Sequence, residues 1–512
     1  MDFSTSERAI SSLERRTPEL PSGVIDLCNR EHGCLWSYFV DQNKGEEGTR
    51  TVVKGIQELV SSEYLSRWEP LSVGLFLAMS LIEEWCASLA TLQQRQHPAD
   101  TATATHYVDG PRLPSLNQNE GSVLSVPSSS SVPLILSILN GDADNHVVEE
   151  GEGTMFQFLI DDFLGSMVGE TCRNHLEHNE PRVRTLCART IGAHARLTSL
   201  AQSISSDSSS DVGSHSTTRH QLLASKVPTL LHQRTAIMSF IVSSLVQQYY
   251  YTREEFDASG KFALDDTTGW RSLETSLHAD ACWVDGCGTY YWAAEIHEDI
   301  QKNYHQYLFQ QPVENKTETL LEILQNCCTK HKNRHVRAAA LQTMDQILSN
   351  SPTVTDESNG TISTNIELLR KTTVTILVTT LADNWSQVRM AASVLCRTLL
   401  VQVLTAGNTE LLQTQIYPQL IPRMCLNRFY LAQGVKLYNQ ETWKILFGEN
   451  SSFGGNNQGQ EMVARYAGAV CRYYAKMADA DNHCVREVRN NIFSGIHQLL
   501  YILHVFQFFV FF

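Results

Sequence analysis

The side chains best suited to chemistry lie between residues 282 and 335. Cys282-x4-Cys287, the adjacent pair Cys327-Cys328, and His331 with His335 are thiols and imidazoles of the kind that bind zinc. Their spacing does not suit it. No C-x2-C pair is present among them, and on a helix Cys327 and Cys328 point about 100° apart. They read as small buried residues plus a loop cysteine. Asp479-Ala480-Asp481-Asn482-His483 has an acidic look, but it lacks the glycine and terminal glutamate of a calcium loop. A turn capping the next helix is the better reading. The sequence contains no G-x-x-x-x-G-K-S/T, G-x-S-x-G or H-E-x-x-H. With 18 histidines, Ser/His/Asp combinations can always be assembled and carry no weight. No catalytic residue, metal ligand or cofactor is therefore expected.

Composition narrows the classes. The 512 residues are 42% hydrophobic and 19% charged, an ordinary globular balance with room for several domains or one long array. The net charge of −15 argues against nucleic acid as the main partner, because phosphate contact needs clustered Lys and Arg. The charge is uneven: between Ile421 and Asn490 nine Lys and Arg face six Asp and Glu. Thirteen cysteines lack a framework spacing, and the start MDFSTSERAISSLERR has no apolar core. Reduced thiols in the cytoplasm or nucleus follow, and the N-x-S/T sequons then mean nothing.

Period decides the elements that would position any site. Residues 1–96 form an N-terminal helical region whose first 50 residues are only weakly periodic. Two helices span Val52 to Leu92, broken near Trp68-Glu69-Pro70. Residues 97–154 lose all period and fill with Pro, Ser, Thr and acidic residues, a linker. From 155 to 487 the helical period is sustained. Polar insertions fall near 203–218 and 351–364, and a break is expected over 281–290. Phe156 to His178 reads as one amphipathic helix, and Gln221 to Tyr251 as a hairpin turning near Pro228. Trp85, Trp385 and Trp443 read as core anchors. No stretch sustains period-two alternation with turn chemistry, so the chain is expected to be all-α.

Val-Arg or Val-Lys pairs recur at Arg184, Arg337, Arg389, Lys436 and Arg486, the last three intervals being 52, 47 and 50 residues. Eight residues after the valine stand Ile191, Met344, Cys396 and Trp443; twelve after it, Ala195, Leu348, Leu400 and Phe447. These positions share one helix face. Between Arg184 and Arg337 there is room for two weaker copies, at Gln233-Arg234 and Trp270-Arg271. A polar turn residue precedes the arginines at Asn179, Asn333, Asp383 and Asp481. The clearest copy is Asn384 to Leu404, where Val388, Ala392, Leu395 and Leu399 form an apolar stripe.

This pattern resembles the HEAT and armadillo-type helical repeats, in which a Val-Arg pair opens the inner helix of each hairpin. The resemblance implies a right-handed α-solenoid of stacked hairpins. It also implies a ladder of turn acids and helix arginines, carried here by Arg184, Arg337, Asp383, Arg389, Asp481 and Arg486, most clearly between Asp383, Arg389 and their neighbours. Importins, the phosphatase scaffold subunit and microtubule-binding arrays are similar at this level. The expected function is a non-catalytic scaffold or adaptor binding other proteins. Its candidate partner-binding residues, in the distinctive run around YLAQGVKLYNQETWKILFG, are Arg428, Tyr430 and Lys436. Neither nucleic acid nor a small molecule is expected as a partner. The alternatives are a tail-anchored membrane adaptor and an enzyme with a site in an insertion. The tail, 488–512, loses the repeat register and crowds with phenylalanine, and codons for Val488-Arg489 can spell an intron opening. It reads as foreign to the fold, which ends truncated; membrane contact is expected only if the tail is genuine.

Overall fold

The computed structural model describes residues 53–60, 68–96, 158–207, 217–259, 269–288, 304–310, 312, 316–352, 360–448 and 458–477. The whole of the 97–154 linker, the centres of the two polar insertions, Asp481, Arg486 and the 488–512 tail lie outside them. All regular structure among the described residues is helical. The chain divides into two compact units, Met1–Val242 with Cys282–Tyr290, and Ser243–Ala281 with Tyr291–Phe512.

In the first unit α1 (Trp68–Gln96) packs along α3 (Pro181–Asp207). Between them in the chain lies α2 (158–175), which is not the regular helix the period predicts. Phe158–Leu164 and Met167–Cys172 wind as π-helix, through Gly165 and Gly169. Glycine weakens the α-helical preference, and a side chain takes over a backbone acceptor: Gln233 Nε2 donates to the Ile160 carbonyl at 3.1 Å. The hairpin expected to turn near Pro228 is a single 43-residue helix, α4 (Thr217–Ser259), with Pro228 inside it. A buried stripe that includes Leu230, Ile237, Met238, Ile241 and Leu245 outweighs the roughly 3 kcal/mol a mid-helix proline costs. Gln233-Arg234 accordingly sits mid-helix and opens nothing.

The break expected over 281–290 is also corrected. Gly269–Cys287 is one helix, α5, ending at Gly288 with φ +57°. Gly286 marks a close helix contact in place of a loop. A Cβ there would overlap the Gly192 carbonyl oxygen on α3 and lie 2.9 Å from Ala195 Cβ. A Cβ on Gly192 would lie 2.7 Å from the Cys282 carbonyl oxygen. Two backbones meet where neither can carry a side chain.

The second unit holds three successive hairpins: α6 (Leu320–Thr329) with α7 (Arg334–Ser349), α8 (Gly360–Thr380) with α9 (Ser386–Thr405), and α10 (409–427) with α11 (Gln433–Phe447). Helices α7, α9 and α11 pack one on the next, as do α6, α8 and α10. Local chemistry sets the ends. Thr319 and Glu322 form a capping box at α6, and Asn333 caps α7. Gly407, at φ +69°, takes the left-handed position that stops α9. Val336, Val388 and Val435 open α7, α9 and α11 and are buried, as Val183 is at the start of α3. Two short helices, α12 (Gln458–Arg465) and α13 (Ala467–Lys476), follow, with α13 against α10. Helix segments Trp68–Ala87 and Ser386–Thr405 are long and apolar enough to cross a membrane, yet about two-thirds of each is buried inside the fold.

Candidate functional site

The arginine of each clear repeat turns back on its own hairpin. Arg184 Nη1 donates to the His178 and Asn179 carbonyls at 2.9 and 3.0 Å. Arg337 Nη1 donates to those of His331 and Lys332, both at 2.8 Å. Arg389 Nε donates to the Asp383 carbonyl, and its Nη1 to that of Leu381 at 2.8 Å. In all three the acceptor six residues back is used. Carbonyls just past a helix end have no helical partner, and a guanidinium carries enough donors to satisfy two at once.

Two of these side chains, Arg337 and Arg389, also reach the following hairpin. Arg337 holds the Asp383 carboxylate with two contacts, 2.9 and 3.1 Å. Arg389, 1% exposed, donates to Asn427 Oδ1 at 2.7 Å, and its guanidinium lies over the Tyr430 ring at 4.6 Å. Within the ladder expected of Asp383, Arg389 and their neighbours, the carboxylate pairs with Arg337, and Arg389 takes only the backbone oxygen of Asp383. Sequence reading missed Asn427, a polar residue at the end of α10, 44 positions after Asp383. It also missed the rungs along the helices. Thr398 donates to Asp345 at 2.6 Å, Asn439 to Ser393 at 2.8 Å, and Arg397 to Thr442 and Glu441 at 2.8 and 2.9 Å.

Of the three candidate partner-binding residues, Tyr430 is buried beneath Arg389. Arg428 is half-buried with its guanidinium 4.3 Å above Trp443, and burial lowers its pKa. Lys436 is half-buried on the first turn of α11. The exposed groups are their neighbours: Phe429 at 48%, Leu431 at 46% and Leu437 at 52%. Trp85 and Trp443 are core residues, as read, but Trp385 is 47% exposed beneath the Arg334 guanidinium, 4.2 Å from its ring centre. It occupies the residue before α9, where the chain is still extended and the side chain faces outward.

The cysteine and histidine cluster does not assemble. Cys287, Cys327 and Cys328 are buried, and burial pushes the Cys282 thiol up to about 12 and the other two of this set with shifts, Cys327 and Cys328, upward as well. Among the described residues no three His, Cys, Asp or Glu side chains come together as a metal site. The most perturbed acid is Asp280, enclosed in the core, which burial raises to about 7. Both of its oxygens accept from the Tyr304 hydroxyl, at 3.0 and 2.9 Å. Tyr304 is itself fully enclosed, so this pair holds α5 to the 304–310 segment. The chain matches no protein-family model and no curated protein.

Proposed function

We propose that the chain is a non-catalytic scaffold of the cytoplasm or nucleus, a right-handed α-solenoid of HEAT type that binds other proteins along its hairpins. The observation that carries this reading is the repeated arginine rung. Arg337 and Arg389 each tie their own turn and then the next hairpin, from α7 to the turn between α8 and α9 and from α9 to the end of α10. Such a rung transmits the same geometry from one hairpin to its neighbour, which is how a quasi-one-dimensional array grows and presents a long surface. The buried acid Asp280 is engaged in holding α5 to the 304–310 segment through Tyr304.

In-cell photo-crosslinking of the full chain, with the crosslinked sites mapped by mass spectrometry, tests it. Peptides of other proteins are expected on α7, α9 and α11. Crosslinks to lipid alone would transfer support to the tail-anchored adaptor. Substrate turnover by the purified chain would overturn the non-catalytic reading.

A further inference from the structure

One edge of the second unit carries an aromatic ring beside an imidazole or a guanidinium at successive turns. At the start of α5, Trp270 stacks on His335 of α7, ring centres 5.4 Å apart and planes 23° from parallel. At the start of α7, Arg334 covers Trp385 of the next turn at 4.2 Å. In the turn before α11, Arg428 lies between Phe429 and Trp443, 5.6 and 4.3 Å from their ring centres. Trp385, Phe429 and Leu431 are each close to half exposed, costly surface for an element with no partner. Lys330 and Lys332 are exposed on the same turns, and Lys436 is half-buried there. Among the described residues the acids of this edge are Glu274, 3.8 Å from His335, and Asp383, already held by Arg337. The described part of the edge is therefore apolar and net basic in a chain of net charge −15.

We propose that this turn edge binds an extended acidic peptide of another protein, with apolar side chains seated against Trp385 and Phe429 and carboxylates facing Arg334, Lys332 and Arg428. The proposal deepens the scaffold reading and rests on it. Spacing selects the peptide. Packed helices lie about 8–10 Å apart, and an extended chain advances about 3.3 Å per residue, so consecutive turns meet about every third residue. Charge selects it too, since cations above rings favour carboxylates and oppose lysines. The half-exposed aliphatics Leu431 and Leu437 suit apolar side chains better than nucleobases.

The test is fluorescence anisotropy of the full chain with a labelled peptide of repeated Leu-Glu-Asp. Controls replace its acids by Lys or its Leu by Ser. Binding is expected for the first peptide only, weakening with salt, and falling about tenfold or more in Trp385→Ala. Trp385 is exposed, so that variant should keep its melting temperature. Arg334→Glu is expected to shift preference toward the lysine peptide. Equal binding of the lysine peptide, or unchanged affinity in Trp385→Ala, would overturn the proposal. So would tighter binding of a single-stranded oligonucleotide, or self-association that Trp385→Ala abolishes. If no peptide binds while in-cell crosslinks to other proteins persist on α7–α11, the scaffold stands and this edge is not its site; if the crosslinks vanish too, both readings fail.

Discussion

The two units bring helices together by opposite means. In the first, α3 and α5 meet at Gly192 and Gly286, where the contact is backbone on backbone and leaves no room for a Cβ. In the second, α7, α9 and α11 are joined by long polar side chains that satisfy turn carbonyls and cross to the next hairpin. The first arrangement derives its specificity from shape and tolerates no added atom. The second derives it from hydrogen-bond geometry and tolerates small shifts, provided each donor keeps an acceptor. Repetition follows only from the second, because a rung can be copied along a chain, whereas a glycine crossing is specific to one place.

The largest effect should come from breaking a rung. Arg337 and Asp383 are mostly buried, so Asp383→Ala leaves a cation without its partner and is expected to cost about 3–5 kcal/mol. Arg337→Ala should cost a similar amount. Chemical denaturation of both single variants and the double variant measures their coupling, and strict additivity would mean the rung contributes nothing as a pair. Asp383→Ala with Arg389→Ala should be nearer additive, since that link runs through a backbone oxygen.

Gly286→Ala attacks the other arrangement. Its methyl group meets backbone atoms that cannot rotate away, so the loss should reach about 3 kcal/mol, the upper part of the usual overpacking range. Gly288→Ala, with open space around it but φ +57°, should cost only about 1 kcal/mol. Equal losses in the two variants would remove the steric account of the crossing.

Acid should weaken the first unit through His194. Burial lowers its pKa to about 4, and its Nε2 lies 3.2 Å from Gln233 Oε1. Between pH 6.5 and about 4 the unfolded chain binds this proton and the folded chain does not. Stability present above pH 6.5 is thus lost as pH falls through that window, by about 3 kcal/mol for a shift of this size. Unfolding titrations of His194→Gln should show a shallower loss. Asp280 has the opposite sign: with its pKa raised to about 7, the folded chain holds the proton longer, and stability declines as pH rises from about 4 to 7. Asp280→Asn should flatten that limb. The smallest effect is expected of Trp385→Ala, below about 0.5 kcal/mol in a melt, because the ring is half exposed.

The sequence by itself determined the helical class and the positions of the arginine rungs. A valine that opens a buried face, an arginine after it and a polar turn before it are local features, visible in one chain at α3, α7 and α9. Tertiary structure decided which acceptor each arginine takes. Asp383, in a turn, and Asn427, at the end of α10, each offer a side-chain acceptor, and only the stacking of hairpins places one before Arg337 and the other before Arg389. It also decided the meaning of the punctuating residues. Gly286 and Pro228 signal breaks by propensity, but burial against a neighbouring helix outweighs about 1–3 kcal/mol of local preference. Trp385 shows the converse, an aromatic that composition assigns to the core and that its place ahead of a helix turns outward. Local preferences act over one or two turns, whereas burial depends on surfaces distant in the sequence, and those surfaces exist only once the helices have packed.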